Sequence, residues 1–213
     1  KYVFSPVLTL IRDVQEDASI NNVAVVGLPC HIEAMRNMEM DPVASRMMKK
    51  VRYIIGLNCG APNMSERDWK TFVSETFAVS EDKIQGFRAR KTGKRSIEMS
   101  LVMVGGCERT KAISINAYLK HFERSPKWPR CSLCPDYSAD LSDVTFGLPL
   151  IRTEKGEELV GSAVENGYLK KGSISRAIVQ KYLDVYVGYG KRRRTRKGIG
   201  LRKKEGSPYP EYR

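Results

Sequence analysis

The chain has no apolar run close to the roughly 20 residues that a helix needs to cross a bilayer, and no charged leader with an apolar centre opens it. A membrane-spanning helix and a secretory signal are both set aside, and a cytoplasmic location is expected. An initiating methionine is also missing: the first residue is Lys1, so the sequence reads as a piece of something longer. Cysteines are few and odd in number, at Cys30, Cys59, Cys107, Cys131 and Cys134. Without a secretory signal, an odd count argues against a disulfide framework and for a reducing compartment where thiols serve metal or redox chemistry. Residues 191–204, "KRRRTRKGIGLRKK", contain no acid and no aromatic side chain. A base-stacking platform is thereby excluded from that run.

The formal net charge is +13, and that run contributes nine basic residues to it. The basic balance therefore belongs to a tail, 191–213, and not to a body spanning 1–190. The tail is expected to be a solvated extension or an arm docking on an acidic partner subunit. Nucleic acid or an anionic membrane surface is less favoured. At 41% hydrophobic, the chain is ordinary enough and long enough to bury one substantial core.

Residues 5–17, "SPVLTLIRDVQED", carry apolar side chains at helical spacing, with Ser5 as cap and Pro6 in the first turn. "NNVAVVGLPC" (21–30) is a short buried strand running into a tight Gly-Leu-Pro-Cys loop, and "VRYIIGLNCG" (51–60) repeats that arrangement. Helices follow each strand, the second at 64–78. Strand–helix alternation of this kind predicts a parallel or mixed sheet with helices on its faces. Three alternating segments, 83–91, 95–104 and 109–115, predict an added antiparallel hairpin region. The fold class is thus α/β (α+β mixed): a mixed sheet flanked by helices, with brief strands at 142–147 and 148–153. Helices are expected at 154–167 and 173–188. Beyond the two strand-to-cysteine turns there is no repeat.

"CSLC" (131–134) lies in a proline-punctuated loop, which disfavours a thioredoxin-like dithiol opening a helix. Cys30 and Cys59 each end a predicted buried strand, and in an open α/β sheet such ends share one rim. A cysteine pair folding over that rim would complete a four-thiolate pocket. Structural zinc usually draws on two paired knuckles, whereas a 4Fe-4S cubane accepts ligands that arrive singly. Iron–sulfur, zinc and no shared metal all remain open at this point. Cys107, after Gly105-Gly106, is expected in a hairpin turn as a small space-filler.

Taken in order, "VVGLPCHIEAMRNM", "IGLNCG", "CSLCPDYSADLSDVTFG" and "IRTEKGEEL" resemble the beta-subunit family of coenzyme F420 hydrogenase and dehydrogenase. The resemblance runs over about residues 1–170. It implies an iron–sulfur flavoprotein subunit passing electrons between coenzyme F420, a deazaflavin, FAD and a 4Fe-4S cluster. By motif, Cys30, Cys59, Cys131 and Cys134 would ligate that cluster. Partner subunits would belong to a hydrogenase, a formate dehydrogenase or a related complex. Two departures from the family pattern stand out: nothing precedes "KYVFSP", and Gly147 passes directly to Leu148 where the family carries a glycine-rich stretch. The alternatives are a ferredoxin-linked flavin reductase of the same fold and a zinc-stabilised nucleic-acid-binding protein using the tail.

Lys1, Tyr2 and Ser5 match a family segment associated with the flavin. Arg152, Thr153, Lys155 and Gly156 are candidates for anionic groups of FAD or F420, because arginine offers a bidentate fork. "TEKGEEL" reads equally as a plain helix start. Asp136, Asp140 and Asp143 are expected to brace their loop through side-chain-to-backbone hydrogen bonds. His31 is a helix-start residue or a hydrogen-bond donor to cluster sulfur. The methionines between 35 and 48 are expected to pack.

Overall fold

The computed structural model describes residues 7–59, 66–91, 96–114, 116–117, 129–147 and 149–211. The chain divides into two compact units. One is made of Lys1–Phe4 and Ala61–Cys131, the other of Ser5–Gly60 and Ser132–Arg213. The single body expected over 1–190 is therefore two. Hydrophobic periodicity marks elements but not which elements share a core.

The second unit holds a four-stranded sheet, β1 (Val23–Gly27), β2 (Val51–Leu57), β6 (Val144–Phe146) and β7 (Leu150–Ile151), in the order β1-β2-β6-β7. The first three are parallel and β7 is antiparallel to β6. Pro29, pre-set for a first turn, opens α2 (Pro29–Met40), which crosses from β1 back to β2. Helix α1 (Val7–Glu16) adds Ile11 to a core with Ile32, Met35, Met48, Val51 and Ile54. Met35 and Met48 pack as expected; Met40 faces outward.

Gly56 is the position where the absence of a side chain matters most. A Cβ there would lie 2.5 Å from Ala139 Cβ and 2.7 Å from Ser142 Oγ, so the bare strand lets loop 138–143 lie directly on the sheet. Asp143 then locks the loop. Its Oδ2 accepts from Ile54 N at 2.7 Å, and its Oδ1 accepts from Arg36 Nη2 at 2.9 Å and Thr153 Oγ1 at 2.8 Å.

The inserted unit is an antiparallel sheet of β3 (Ile84–Lys91), β4 (Ser96–Met103) and β5 (Glu108–Ser114) with α3 (Glu66–Phe77). β4 alternates strictly, burying Ile97, Met99, Leu101 and Met103 against Phe72 and Val73. Gly105 and Gly106 take φ of +94° and +83° in the turn before β5. Cys107 is exposed there, its carbonyl accepting from Met103 N, and so fills no space. The short helix α4 (Pro129–Leu133) carries the first cysteine of the pair. The short helix that "NAYLKHFER" (116–124) suggests ahead of the proline-punctuated loop falls mostly outside the described residues.

The C-terminal part is mainly helical: α5 (Glu154–Glu165), α6 (Arg176–Leu183), a π-helical stretch (Asp184–Arg192) and α7 (Arg193–Lys204). The basic run is thus a helix of the second unit and not a solvated tail. Lys191 and Thr195 are each only 4% exposed. Among the described residues no helix is long and apolar enough to cross a membrane.

Candidate metal centre

Parallel pairing puts Gly27 opposite Gly56. Cys30 and Cys59 each come three residues later, at the same rim of the sheet. Cys30 sits exposed in the first turn of α2. Beside it, His31 Nδ1 accepts from Leu28 N at 3.4 Å, and burial pushes the ring below its ordinary pKa. His31 thus braces the turn through this bond.

Cys59 is tied to the CxxC loop directly, its N–H donating to Tyr137 O at 2.8 Å. Cys134 is half-buried, with its Sγ directed at Asp136 O at 3.6 Å. Burial pushes the Cys134 thiol up, while the nearby Lys191 ammonium pulls it down and the Cys59 sulfur raises it. The two sulfurs thus share one electrostatic environment. Lys191 reaches into it: Nζ donates to Cys59 O at 3.1 Å and lies 3.9 Å from Cys59 Sγ.

The helix bearing Lys191 is fixed to the other half of the site. Thr195 Oγ1 donates to Cys134 O at 2.7 Å. A Cβ on Gly198 would fall 2.5 Å from Ser132 O, so only glycine permits this approach. Behind the cysteines, Tyr137 OH lies 3.0 Å from Tyr182 OH, and its ring stacks on Tyr186 at 5.6 Å between centroids. Burial and the Tyr182 contact push the Tyr137 phenol well up. Asp136 accepts from Asp140 N through Oδ2, while its Oδ1 is buried with no protein partner. Burial and the Asp140 charge push this carboxyl up.

Of the four expected ligands, Cys59 and Cys134 are both reached by the segment carrying Lys191 and Thr195, Cys30 stands at the same rim as Cys59, and Cys131 is half-buried in α4. Among the described residues, no three His, Cys, Asp or Glu side chains form a group able to hold a metal. As donors, the half-buried sulfurs of Cys59 and Cys134 are soft ligands of the kind a thiophilic metal takes.

The other predicted residues have identifiable structural work. Arg152 donates to Thr145 Oγ1 at 2.5 Å and Asp140 Oδ1 at 3.0 Å. Thr153 caps α5, accepting from Gly156 N while donating to Asp143. Gly156 is buried where a Cβ would meet Asp143 O at 2.1 Å. Lys155 is exposed beside an open surface hollow of about 590 Å³ that also borders Arg36 and Arg152. Lys1, Tyr2 and Ser5 lie outside the described residues.

Reasoning from the sequence missed Lys191 and Thr195. A signal was present, because Lys191, Thr195 and Gly198 fall at i, i+4 and i+7 and so on one helical face. The surrounding arginines masked it.

Residues 20–177 match the family model that describes the C terminus of the coenzyme F420 hydrogenase/dehydrogenase beta subunit. The chain belongs to this family. It is 27% identical to the coenzyme F420 hydrogenase subunit beta of Methanococcus voltae, the alignment covering 99% of this chain and 73% of that protein. It is also 31% identical to a coenzyme F420-dependent sulfite reductase of Methanocaldococcus jannaschii, over 81% of this chain but 27% of that protein. The fold matches a chain of the F420-reducing [NiFe] hydrogenase complex of Methanosarcina barkeri, with a TM-score of 0.70 at 19% identity over 98% of this chain and 72% of that one. The likeness confirms the mixed α/β fold expected from the sequence.

Proposed function

We propose that this chain is an iron–sulfur flavoprotein subunit of an oxidoreductase complex that exchanges electrons with coenzyme F420. The observation that carries the reading is family membership, supported by Lys191 and Thr195 reaching Cys59 Sγ and the Cys134 carbonyl from one segment. Cys30, Cys59, Cys131 and Cys134 would hold a 4Fe-4S cluster, with the first two delivered by the ends of β1 and β2. A deazaflavin gives up a hydride and a cluster accepts single electrons, so FAD is the converter between them.

This chain's own residues contribute orientation and burial. Gly56 and Asp143 press loop 138–143 onto the sheet, and the bond from Cys59 N to Tyr137 O ties this cysteine to the loop after the CxxC pair. The rings of Tyr182 and Tyr186 pack against Tyr137. Arg152, Thr153 and Gly156 each make protein contacts, yet Thr153 and Lys155 are exposed and line the surface hollow together with Arg152 and Arg36. The support for FAD is family membership, with this hollow and Lys1, Tyr2 and Ser5 as candidate contacts.

Relatives that are subunits of F420-dependent hydrogenases support other subunits of such an assembly as partners. The test is anaerobic iron, sulfide and flavin analysis of the full-length protein. About four iron and four sulfide per chain are expected for one cubane, together with FAD. Stoichiometric zinc without iron would overturn the reading. Turnover with reduced ferredoxin but not with F420 would shift it to the ferredoxin-linked alternative.

A further inference from the structure

We propose that the outward face of α7 docks an acidic surface of a neighbouring protein subunit. The docking rests on the reading above that the chain is one subunit of a larger assembly, and it involves no metal. α7 lies outside residues 20–177, which match the family model.

The helix has two opposite faces. Its inward face is set by Thr195, which donates to Cys134 O, and by Gly198, where a Cβ would meet Ser132 O at 2.5 Å. Helical spacing turns Arg193, Arg196, Lys197, Leu201 and Lys204 to the other side, and all five are exposed. None of these four cations makes an ion pair or a hydrogen bond among the described residues. Lys203, by contrast, lies over the Tyr209 ring at 4.8 Å.

This outward face does not serve the stability of the helix itself. Arg193 meets Arg196 and Lys197 at i+3 and i+4, where like charges destabilise a helix. Gly198 and Gly200 lower its propensity further. The inward packing holds α7 in place despite both. An anionic surface laid against the cations would relieve their repulsion, which is electrostatic complementarity of the kind that orients protein partners.

The chemistry of the face selects a protein over other anions. A helix bound to a bilayer surface sinks a broad apolar side into it. α7 instead turns one side to the Cys134 loop and offers solvent a single apolar side chain, Leu201, 58% exposed. Single-stranded nucleic acid stacks its bases on aromatic rings, and α7 has none. Protein interfaces join an apolar contact to a charged rim. Leu201, with Lys197 one turn before it and Lys204 one turn after, has that form. α6, the π-helical stretch and α7 also follow without a break, since Asp184 and Arg192 both keep helical backbone. Ile178 and Val185 on that segment are exposed as well and extend the apolar contact.

The test recovers a tagged full-length chain at low salt from the cells that naturally make it and identifies its bound subunits by mass spectrometry. Acylation of Lys197 and Lys204 is compared in the complex and after salt has dissociated it, relative to the exposed Lys49. Both lysines should be protected in the complex and reactive once it is dissociated. Arg196→Glu/Lys197→Glu should hold the subunits at least about tenfold more weakly. Its melting temperature should match wild type, because neither side chain pairs within the chain. Arg196→Lys/Lys197→Arg keeps the charge and should retain the subunits. Equal reactivity of both lysines in the two states overturns the inference. So does a charge-reversed chain that keeps its subunits, or a wild-type chain that recovers none. Charge-dependent binding of a short DNA duplex, poly(U) or phosphatidylglycerol vesicles, with the subunits unaffected by charge reversal, also overturns it. F420 turnover by the recovered complex is read separately: its absence defeats the oxidoreductase reading and leaves the docking result standing.

Discussion

Asp143 shows how much one side chain can decide. It is 2% exposed and joins β2, α2 and the cap of α5 through three side-chain hydrogen bonds. Asp143→Ala would leave Ile54 N without its buried acceptor and the Arg36 guanidinium with Glu39 as its remaining carboxylate partner. A buried donor left unsatisfied costs about 1–3 kcal/mol, so the melting temperature should fall by about 5 °C. A thermal melt within a degree of wild type would contradict this. Asp136 behaves in the opposite sense. Its folded carboxyl is raised above the ordinary value of 3.8, chiefly by burial. The unfolded chain therefore loses its proton first as pH rises, and stability drains away through the window from 3.8 up to the folded value. Asp136→Asn should remove that slope, gaining on wild type from acid toward neutral pH in denaturant titrations. Parallel wild-type and variant curves would contradict it. From the sequence, the three aspartates were legible as loop braces. That Asp143 reaches across 89 residues to Ile54 was not, because hydrogen bonds over such separations leave no local pattern.

At the scale of elements, periodicity served well where one face is apolar. The strict alternation of β4 and the two strand-to-cysteine turns of β1 and β2 were both visible. α7 was not, because Thr195 and Gly198 pack against the loop while arginine and lysine dominate its composition. Gly198→Ala should push the helix from Ser132 O and cost about 1–3 kcal/mol as an overpacked contact. Hydrogen exchange across 193–204 should quicken more than in β1 or β2. Uniform acceleration throughout the second unit would instead mean that α7 is integral to the core.

For the whole molecule, the division into an inserted antiparallel unit and a parallel-sheet unit could not be read from the alternation of elements, since each segment reports only its own buried face. The coordinates supply two separate cores. Leu101→Ala, in the first, should cost about 2–5 kcal/mol. Faster exchange should appear in β3–β5, while β1 and β2 keep their protection. Equal loss of protection in both sheets would show one cooperative body.

The central claim is that thiols from distant parts of the chain hold one cluster, and the iron content of five single cysteine variants tests it most directly. Cys30→Ser, Cys59→Ser, Cys131→Ser and Cys134→Ser should each abolish or sharply reduce iron and sulfide. Cys107→Ser, at an exposed position in its hairpin turn, should leave both at wild-type levels. Full iron retention in any of the first four, or loss on changing Cys107, would contradict the account.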